Sequence, residues 1–107
     1  MSIKKPSKKQ REYDLMVLKV VKELSKTPDA RLSVREISRT IGINPMAVSR
    51  SVKRLDGLLD IKKGSNFESF RLQVYLIRLK SGLENITLEE LVKKSYLSSR
   101  LNHEIFS

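Results

Sequence analysis

The sequence of 107 residues contains no cysteine, which excludes disulfide bridges and thiolate metal sites. Its only histidine, His103, is predicted to be a solvated side chain rather than a general base or a metal ligand. No apolar run approaches the ~18 residues that span a bilayer, and the stretch MSIKKPSKKQR lacks the apolar centre of a secretory signal. Glycine-rich phosphate loops, paired carboxylates and nucleophile motifs are also missing from the sequence. These absences argue against an enzyme, a cofactor, a small-molecule ligand and a membrane protein, and they predict a cytoplasmic location.

Positive charge is abundant, with a formal net charge of +10. Residues 1–30 carry +4, residues 31–80 carry +7, and residues 81–107 carry −1. Such an excess attracts polyanions through phosphate neutralisation and counterion release, with nucleic acid the first expectation and an anionic membrane surface the second. A lysine-rich surface can also serve only to keep a protein soluble, so specific motifs must decide between polyanion binding and solubility.

The N-terminal part reads as a basic flexible arm, residues 1–10, followed by a helix from about Gln10 to Lys26. Apolar residues at helical spacing predict the buried stripe of this helix: Tyr13, Met16, Val17, Val20, Val21 and Leu24. Leu15 and Leu18 fall on the opposite side. They therefore predict a second apolar contact surface.

The stretch SVREISRTIGINPMAVSRSVKRL, residues 33–55, carries a helix stop followed at once by a helix start. Ser33 and Glu36 have the spacing of a capping box, and Gly42 suits the left-handed end of a helix whose inward face is Val34, Ile37 and Ile41. Asn44 can cap a second helix, with Pro45 at its first position. The short turn predicts two helices held at a fixed steep angle.

The second helix, residues 45–56, has Val48, Val52 and Leu55 on its inward face, while small and cationic residues share its other faces. This layout is typical of a helix that lies in the major groove of DNA, about 12 Å wide. A helical hairpin that packs only on itself is the alternative. The predicted base contacts are Asn44, Met46, Ala47, Ser49 and Arg50.

After Gly57, predicted to end this helix, the apolar period changes from 3.6 to 2. Leu59 and Ile61 alternate with polar residues, as do Phe70, Leu72, Val74 and Leu76, which predicts a β-hairpin with its tip at Lys62–Asn66. The tip composition suits contact with phosphates or the minor groove, although exposed turns in general share it. The predicted contacts to the DNA backbone are Ser33, Arg35, Lys53, Arg54, Lys62, Lys63, Asn66 and Arg71.

The order helix, capped helix, turn, outward-facing helix and hairpin resembles the winged helix-turn-helix of prokaryotic, MarR-like transcriptional regulators, with IGINPMAVSRSVKRL as the most diagnostic tract. The resemblance covers about Tyr13 to Leu79. It implies sequence-specific binding of double-stranded DNA, with the second helix in the major groove and the hairpin, residues 62–68, as the wing. Asn66, Glu68 and Arg71 match the wing residues of MarR-like proteins only loosely, and the long helices that house an effector pocket are missing.

The predicted fold class is therefore mainly α with a small β-hairpin (α+β), a winged helix-turn-helix domain at residues 11–80 with an extra C-terminal helix. The predicted function is that of a transcription regulator. The alternative is a non-enzymatic architectural, RNA-binding or protein–protein assembly module. The small, lysine- and isoleucine-rich composition without cysteine suggests an archaeal virus or plasmid as the source.

Residues 81–107 are predicted to form a helical dimerisation segment. Thr87 and Glu90 have capping-box spacing, and Leu88, Leu91 and Val92 share one face. A helix, straight or broken near Ser95, is the main expectation, and a degenerate second helix-turn-helix is the alternative. Because apolar rows on two terminal helices suit a two-fold interface, a homodimer is predicted, and packing of the two rows on each other within one chain is the alternative. Its contact residues would be Leu15, Leu18, Leu97, Leu101 and Ile105.

Overall fold

A computed structural model describes residues 7–63 and 75–97 of the chain. Within these ranges the helices are α1 (Lys8–Leu24), α2 (Val34–Ile41), α3 (Pro45–Arg54) and α4 (Leu88–Lys94). The strands are β1 (Leu32–Ser33), β2 (Leu59–Lys63) and β3 (Tyr75–Leu79). This arrangement confirms the predicted fold class, a mainly helical winged helix-turn-helix with a small antiparallel sheet.

The sheet has the strand order β1-β3-β2, and both pairings are antiparallel. β2 and β3 pair in register from Leu59 opposite Leu79 to Lys63 opposite Tyr75, which confirms that the two strands form a hairpin. The two-residue β1 completes the sheet just before α2 begins. The sheet therefore connects the start of α2 to the base of the wing.

Helix α1 begins two residues earlier than predicted, inside the predicted arm. Ser7 caps it through a capping box: the Ser7 hydroxyl accepts from the Gln10 amide at 3.1 Å, and the Gln10 side chain accepts from the Ser7 amide at 2.8 Å. This box satisfies two backbone amides that a helix start would otherwise leave unpaired. Residues 8–10 of the predicted arm therefore belong to the helix, which ends at Leu24 rather than Lys26.

The two helices of the central motif form as their capping residues predict. The Ser33 hydroxyl accepts from the Glu36 amide at 3.1 Å, and the Glu36 carboxylate accepts from the Ser33 amide at 3.0 Å. Gly42 ends α2 with φ of +73°, in the left-handed region that glycine enters without steric cost. Helix α3 stops at Arg54, and a 3₁₀ turn over Asp56–Leu58 rather than a glycine cap at Gly57 leads into β2.

The core is built from every helix and from the two longer strands. Its buried apolar side chains are Val17, Leu18, Val21, Ile37, Val48, Val52, Leu55, Leu58, Leu59, Ile77, Leu79, Leu91 and Leu97. The predicted inward faces of α2 and α3 are confirmed at Ile37, Val48 and Val52. Because α3 packs Val48 and Val52 into this core, only the opposite face of the helix is free.

The prediction that Leu18 faces away from the core is wrong, because this side chain is 0% exposed. Helix α1 contacts α2, α3, α4 and β3, so its buried face is wider than the predicted stripe, while Met16 is exposed. The prediction for Leu97 is also wrong. The chain breaks at Ser95, where the backbone is extended, and Leu97 packs in the same core as Leu91. Leu18 is not accessible to a second chain, Leu97 is only 7% exposed, and Leu101 and Ile105 lie outside the described residues.

The wing differs from the prediction where its strands leave the core. Lys62 and Lys63 belong to β2, paired with Leu76 and Tyr75, rather than to the hairpin tip. Ile61 was predicted to face inward but is 37% exposed, because β2 extends past the edge of the core. The rest of the predicted tip and most of the second predicted strand, with Asn66 and Arg71, lie outside the described residues.

Candidate nucleic-acid interface

The free face of α3 carries the residues predicted to contact bases. Met46 is 63% exposed, Asn44 and Arg50 are exposed, and Ala47 and Ser49 are half-buried. On the opposite face Val48, Ser51 and Val52 are buried, which anchors the helix. The outer surface of α3 therefore offers short side chains near its N-terminus and one arginine a turn later.

The start of α3 is fixed by local hydrogen bonds. The Asn44 side-chain oxygen accepts from the Met46 amide at 2.7 Å, with Pro45 at the first helical position. The buried Ser38 hydroxyl donates to the Ile43 carbonyl, which braces the turn against α2. Asn44 is thus held as a cap, and its side-chain NH₂ group remains available as a donor.

Exposed cations lie on α3 itself and on α2 and β2. Four of the predicted backbone contacts are exposed, namely Arg35 on α2, Lys53 on α3, and Lys62 and Lys63 on β2. Ser33 is half-buried, and its hydroxyl already accepts the capping bond of α2. Sequence reasoning missed Arg39, which is exposed one turn after Arg35 on the same side of α2. The i, i+4 spacing of these two arginines is the signal that could have revealed it.

Arg54 was predicted to contact the DNA backbone, but the structure gives it an internal partner. Its Nε donates to Asp14 Oδ2 and its Nη2 to Asp14 Oδ1, both at 2.8 Å, and Nη2 also lies 3.3 Å from the Ser51 hydroxyl. The Arg54 side chain is 21% exposed and that of Asp14 is 0% exposed. A buried carboxylate needs a paired cation, so Arg54 stabilises the fold and is removed from the set of phosphate contacts.

Tyr96 completes this group, which we call the Asp14 cluster: Asp14, Ser51, Arg54 and Tyr96. The Tyr96 hydroxyl, just beyond α4, donates to Asp14 Oδ2. The hydrogen bond to Asp14 raises the pKa of Arg54, and burial together with the neighbouring Asp14 carboxylate raises the pKa of Tyr96. Sequence reasoning missed the cluster.

The comparisons with known proteins agree with this geometry. Residues 10–56 match a family described as winged helix-turn-helix DNA-binding. This part of the chain is therefore similar to winged helix-turn-helix DNA-binding domains. No curated protein matches the chain.

The winged helix-turn-helix fold is also seen in a solved structure of a mutant of Lactococcus lactis ZitR. The TM-score is 0.51 at 16% identity, and the match covers 99% of this chain and 63% of the ZitR chain. This chain therefore spans less than two thirds of the length of ZitR. The match supports the fold of both the helix-turn-helix, α2 and α3, and the wing, β2 and β3.

The base of the wing is tied to the rest of the winged helix-turn-helix by two arginines. Arg31 pairs with Asp60 at 2.7 Å and also donates to the Asp60 carbonyl at 3.2 Å. Arg78 donates to the Ala30 carbonyl at 3.2 Å, and its guanidinium lies 3.7 Å from the Glu84 carboxylate. The hydrogen bond from Arg31 lowers the pKa of Asp60. The charges of Arg31 and Arg78 are therefore used within the domain, which leaves Lys62 and Lys63 as the described wing cations open to a ligand.

Over residues 7–63 and 75–97, no group of three or more acidic, histidine or cysteine residues is placed to hold a metal ion. In the same part of the chain, no helix is both long and apolar enough to cross a membrane.

Proposed function

We propose that the protein is a sequence-specific transcription regulator that binds double-stranded DNA with α3 in the major groove and the wing against the backbone or the minor groove. The observation that carries this proposal is the two-sided character of α3. Val48 and Val52 anchor it in the core, while Met46 and Arg50 project into solvent. A helix of this kind fits a groove about 12 Å wide and offers donors to base edges.

Base readout rests on the first two turns of α3. Arg50 is exposed, and among the described residues it forms no hydrogen bond or ion pair, so its guanidinium can give two donors to a guanine. Asn44, Met46, Ala47 and Ser49 complete the proposed base contacts. The small side chains of Ala47 and Ser49 permit a close approach to the groove floor.

Backbone contacts rest on the surrounding cations. Arg35, Lys53, Lys62 and Lys63 are exposed, and Arg39 is added to them because it lies one turn from Arg35. Ser33, Asn66 and Arg71 remain predicted contacts. Each phosphate contact releases counterions, so affinity should depend steeply on salt. This charge alone would also serve a protein that coats DNA or binds RNA without sequence preference.

A homodimer belongs to the same proposal, on a smaller surface than the sequence suggested. Leu15 on α1 is half-buried and lines a shallow groove with Val92 of α4 and with Leu97, beside the charged residues Lys8, Arg11 and Glu12. Two copies that meet there could present their recognition helices to successive major grooves about 34 Å apart. The full chain should then sediment as a dimer at micromolar concentration and Leu15→Glu as a monomer, with Met16→Glu as the control on the exposed side of α1. A monomeric wild type would refute the dimer.

The function is tested by selection from genomic DNA. The purified protein is mixed with genomic fragments at moderate salt, and the retained fragments are sequenced. A shared, pseudo-palindromic site is expected. Uniform recovery of all fragments would instead identify a sequence-blind coat protein, and retention of RNA in a parallel selection would identify an RNA-binding module.

A further inference from the structure

The Asp14 cluster joins three separate parts of the chain at one buried carboxylate. Asp14 lies on α1, Arg54 on α3, and Tyr96 follows the break after α4. Asp14 Oδ1 accepts from Arg54 alone, whereas Oδ2 accepts from both Arg54 and Tyr96. Hydrogen bonds to a charged group are shorter and stronger than neutral ones and depend on orientation. The rotation of α3 about its own axis is therefore tied to α1 by a two-pronged contact at its last residue.

We propose that Tyr96 is a positioning residue for DNA recognition. Its hydroxyl fixes the Asp14 carboxylate, the carboxylate fixes the Arg54 guanidinium, and the guanidinium sets the orientation in which α3 presents Arg50 to DNA. This inference rests on the proposed function. Tyr96 itself is half-buried and is not among the proposed DNA contacts. The C-terminal part of the chain thereby contributes to specificity without touching a base.

The local structure around Tyr96 is built to hold it in place. Helix α4 ends at Ser95, whose backbone is extended with φ of −94° and ψ of 172°. The Ser95 hydroxyl donates to the Val92 carbonyl at 2.7 Å and accepts from the Leu97 amide at 3.1 Å. Leu97 is buried in the core directly after Tyr96. The break is thus a defined turn that directs the tyrosine toward α1.

The chemistry of the hydroxyl agrees with this role. Burial and the Asp14 carboxylate raise the pKa of Tyr96, so the phenol remains protonated and acts as a donor at neutral pH. A phenylalanine would fill the same space and remove only the donor. In a phenylalanine variant, Asp14 would keep its ion pair with Arg54 but lose the hydrogen bond that the Tyr96 hydroxyl donates to Oδ2.

The test compares three variants with the wild type. Tyr96→Phe removes the donor, and Tyr13→Phe is the matched control, because the described residues give the Tyr13 hydroxyl no hydrogen bond. Leu91→Ala is the stability control, since it opens the core and removes no member of the cluster. Affinity is measured for a duplex recovered by the genomic selection and for a scrambled duplex of the same composition, at a temperature where every variant is folded. Amide hydrogen exchange of α3 is measured in the free protein.

Tyr96→Phe should lower the affinity for the selected duplex about three- to tenfold, the range that a typical intramolecular hydrogen bond is worth, and leave the scrambled duplex within twofold. It should also speed exchange of the α3 amides relative to β3, whereas Tyr13→Phe and Leu91→Ala should keep the ratio of the two affinities. An unchanged ratio in Tyr96→Phe, or an equal loss in Leu91→Ala, would overturn the positioning role. If the wild type itself shows no preference, the proposed function fails, and unchanged α3 exchange in Tyr96→Phe then separately overturns the coupling.

Discussion

Arg54 on α3 donates two hydrogen bonds of 2.8 Å to the fully buried carboxylate of Asp14 on α1. The two residues are 40 positions apart in the sequence. Because α1 crosses the back of the helix-turn-helix, this ion pair fixes the recognition helix to its support. Lys53, the adjacent residue, is exposed, and we propose that it contacts a DNA phosphate instead of stabilising the fold.

Arg54→Ala should destabilise the fold by roughly 2–4 kcal/mol, because it leaves the Asp14 charge buried without a cation. This loss of stability is smaller than that expected on breaking a fully buried ion pair, because part of the Arg54 side chain is exposed and screened by solvent. Lys53→Ala, the control, should change stability by no more than about 0.5 kcal/mol. Urea unfolding of both variants measures this difference. Equal stabilities of the two variants would show that the Asp14–Arg54 pair does not hold α3.

The wing prediction concerns the salt dependence of DNA binding. Lys62→Ala combined with Lys63→Ala should reduce the slope of log affinity against log salt by about two, because each phosphate contact contributes ~0.9 to the slope. The control is Lys93→Ala combined with Lys94→Ala, which removes the same charge from the exposed side of α4. Titrations at several salt concentrations compare the two. If both double variants lower the slope equally, only net charge matters and the wing makes no local contact.

The alkaline limit of stability should depend on Tyr96. Its pKa is raised above the ordinary value of 10.0, so the folded state holds the phenolic proton more tightly than the unfolded state does. The resulting stabilisation is complete below about pH 10 and is lost as pH rises beyond it. The free energy of unfolding of the wild type should therefore fall more between about pH 9 and 11 than that of Tyr96→Phe, which lacks the titrating group. Parallel curves for the two proteins would contradict the prediction.

The helix-turn-helix could be predicted from sequence because its determinants are local. Ser33 and Glu36 lie three residues apart, and the cap at Asn44 bonds to Met46 two residues later. Gly42 needs only its own backbone conformation to end α2. Each of these signals involves residues within one helical turn of each other, so it can be recognised from the sequence alone.

The support of the recognition helix could not be predicted in the same way, because its contacts are distant in sequence. Asp14 occupies the buried stripe of α1 with Val17, Leu18 and Val21, at positions i, i+3, i+4 and i+7. A search for apolar periodicity passes over the aspartate and shifts the stripe toward Met16. A carboxylate in a helical stripe of apolar residues is the signal that would have led to Leu18 and to a cation elsewhere in the chain.

The sequence left open whether the C-terminal helix is straight or broken near Ser95, and it assigned Leu97 to a different face from Leu91. The structure confirms the break. The extended backbone at Ser95 instead lets both leucines enter one core.

The Arg50→Ala variant shows whether α3 reads bases. Affinities of the wild type and the variant are measured for the selected duplex and for a scrambled duplex at one salt concentration. The variant should lose roughly 1–3 kcal/mol of discrimination between the two duplexes. Lys53→Ala should weaken both complexes to the same degree. Equal losses on both duplexes for Arg50→Ala would contradict base readout by α3, because Arg50 would then act only as a charge.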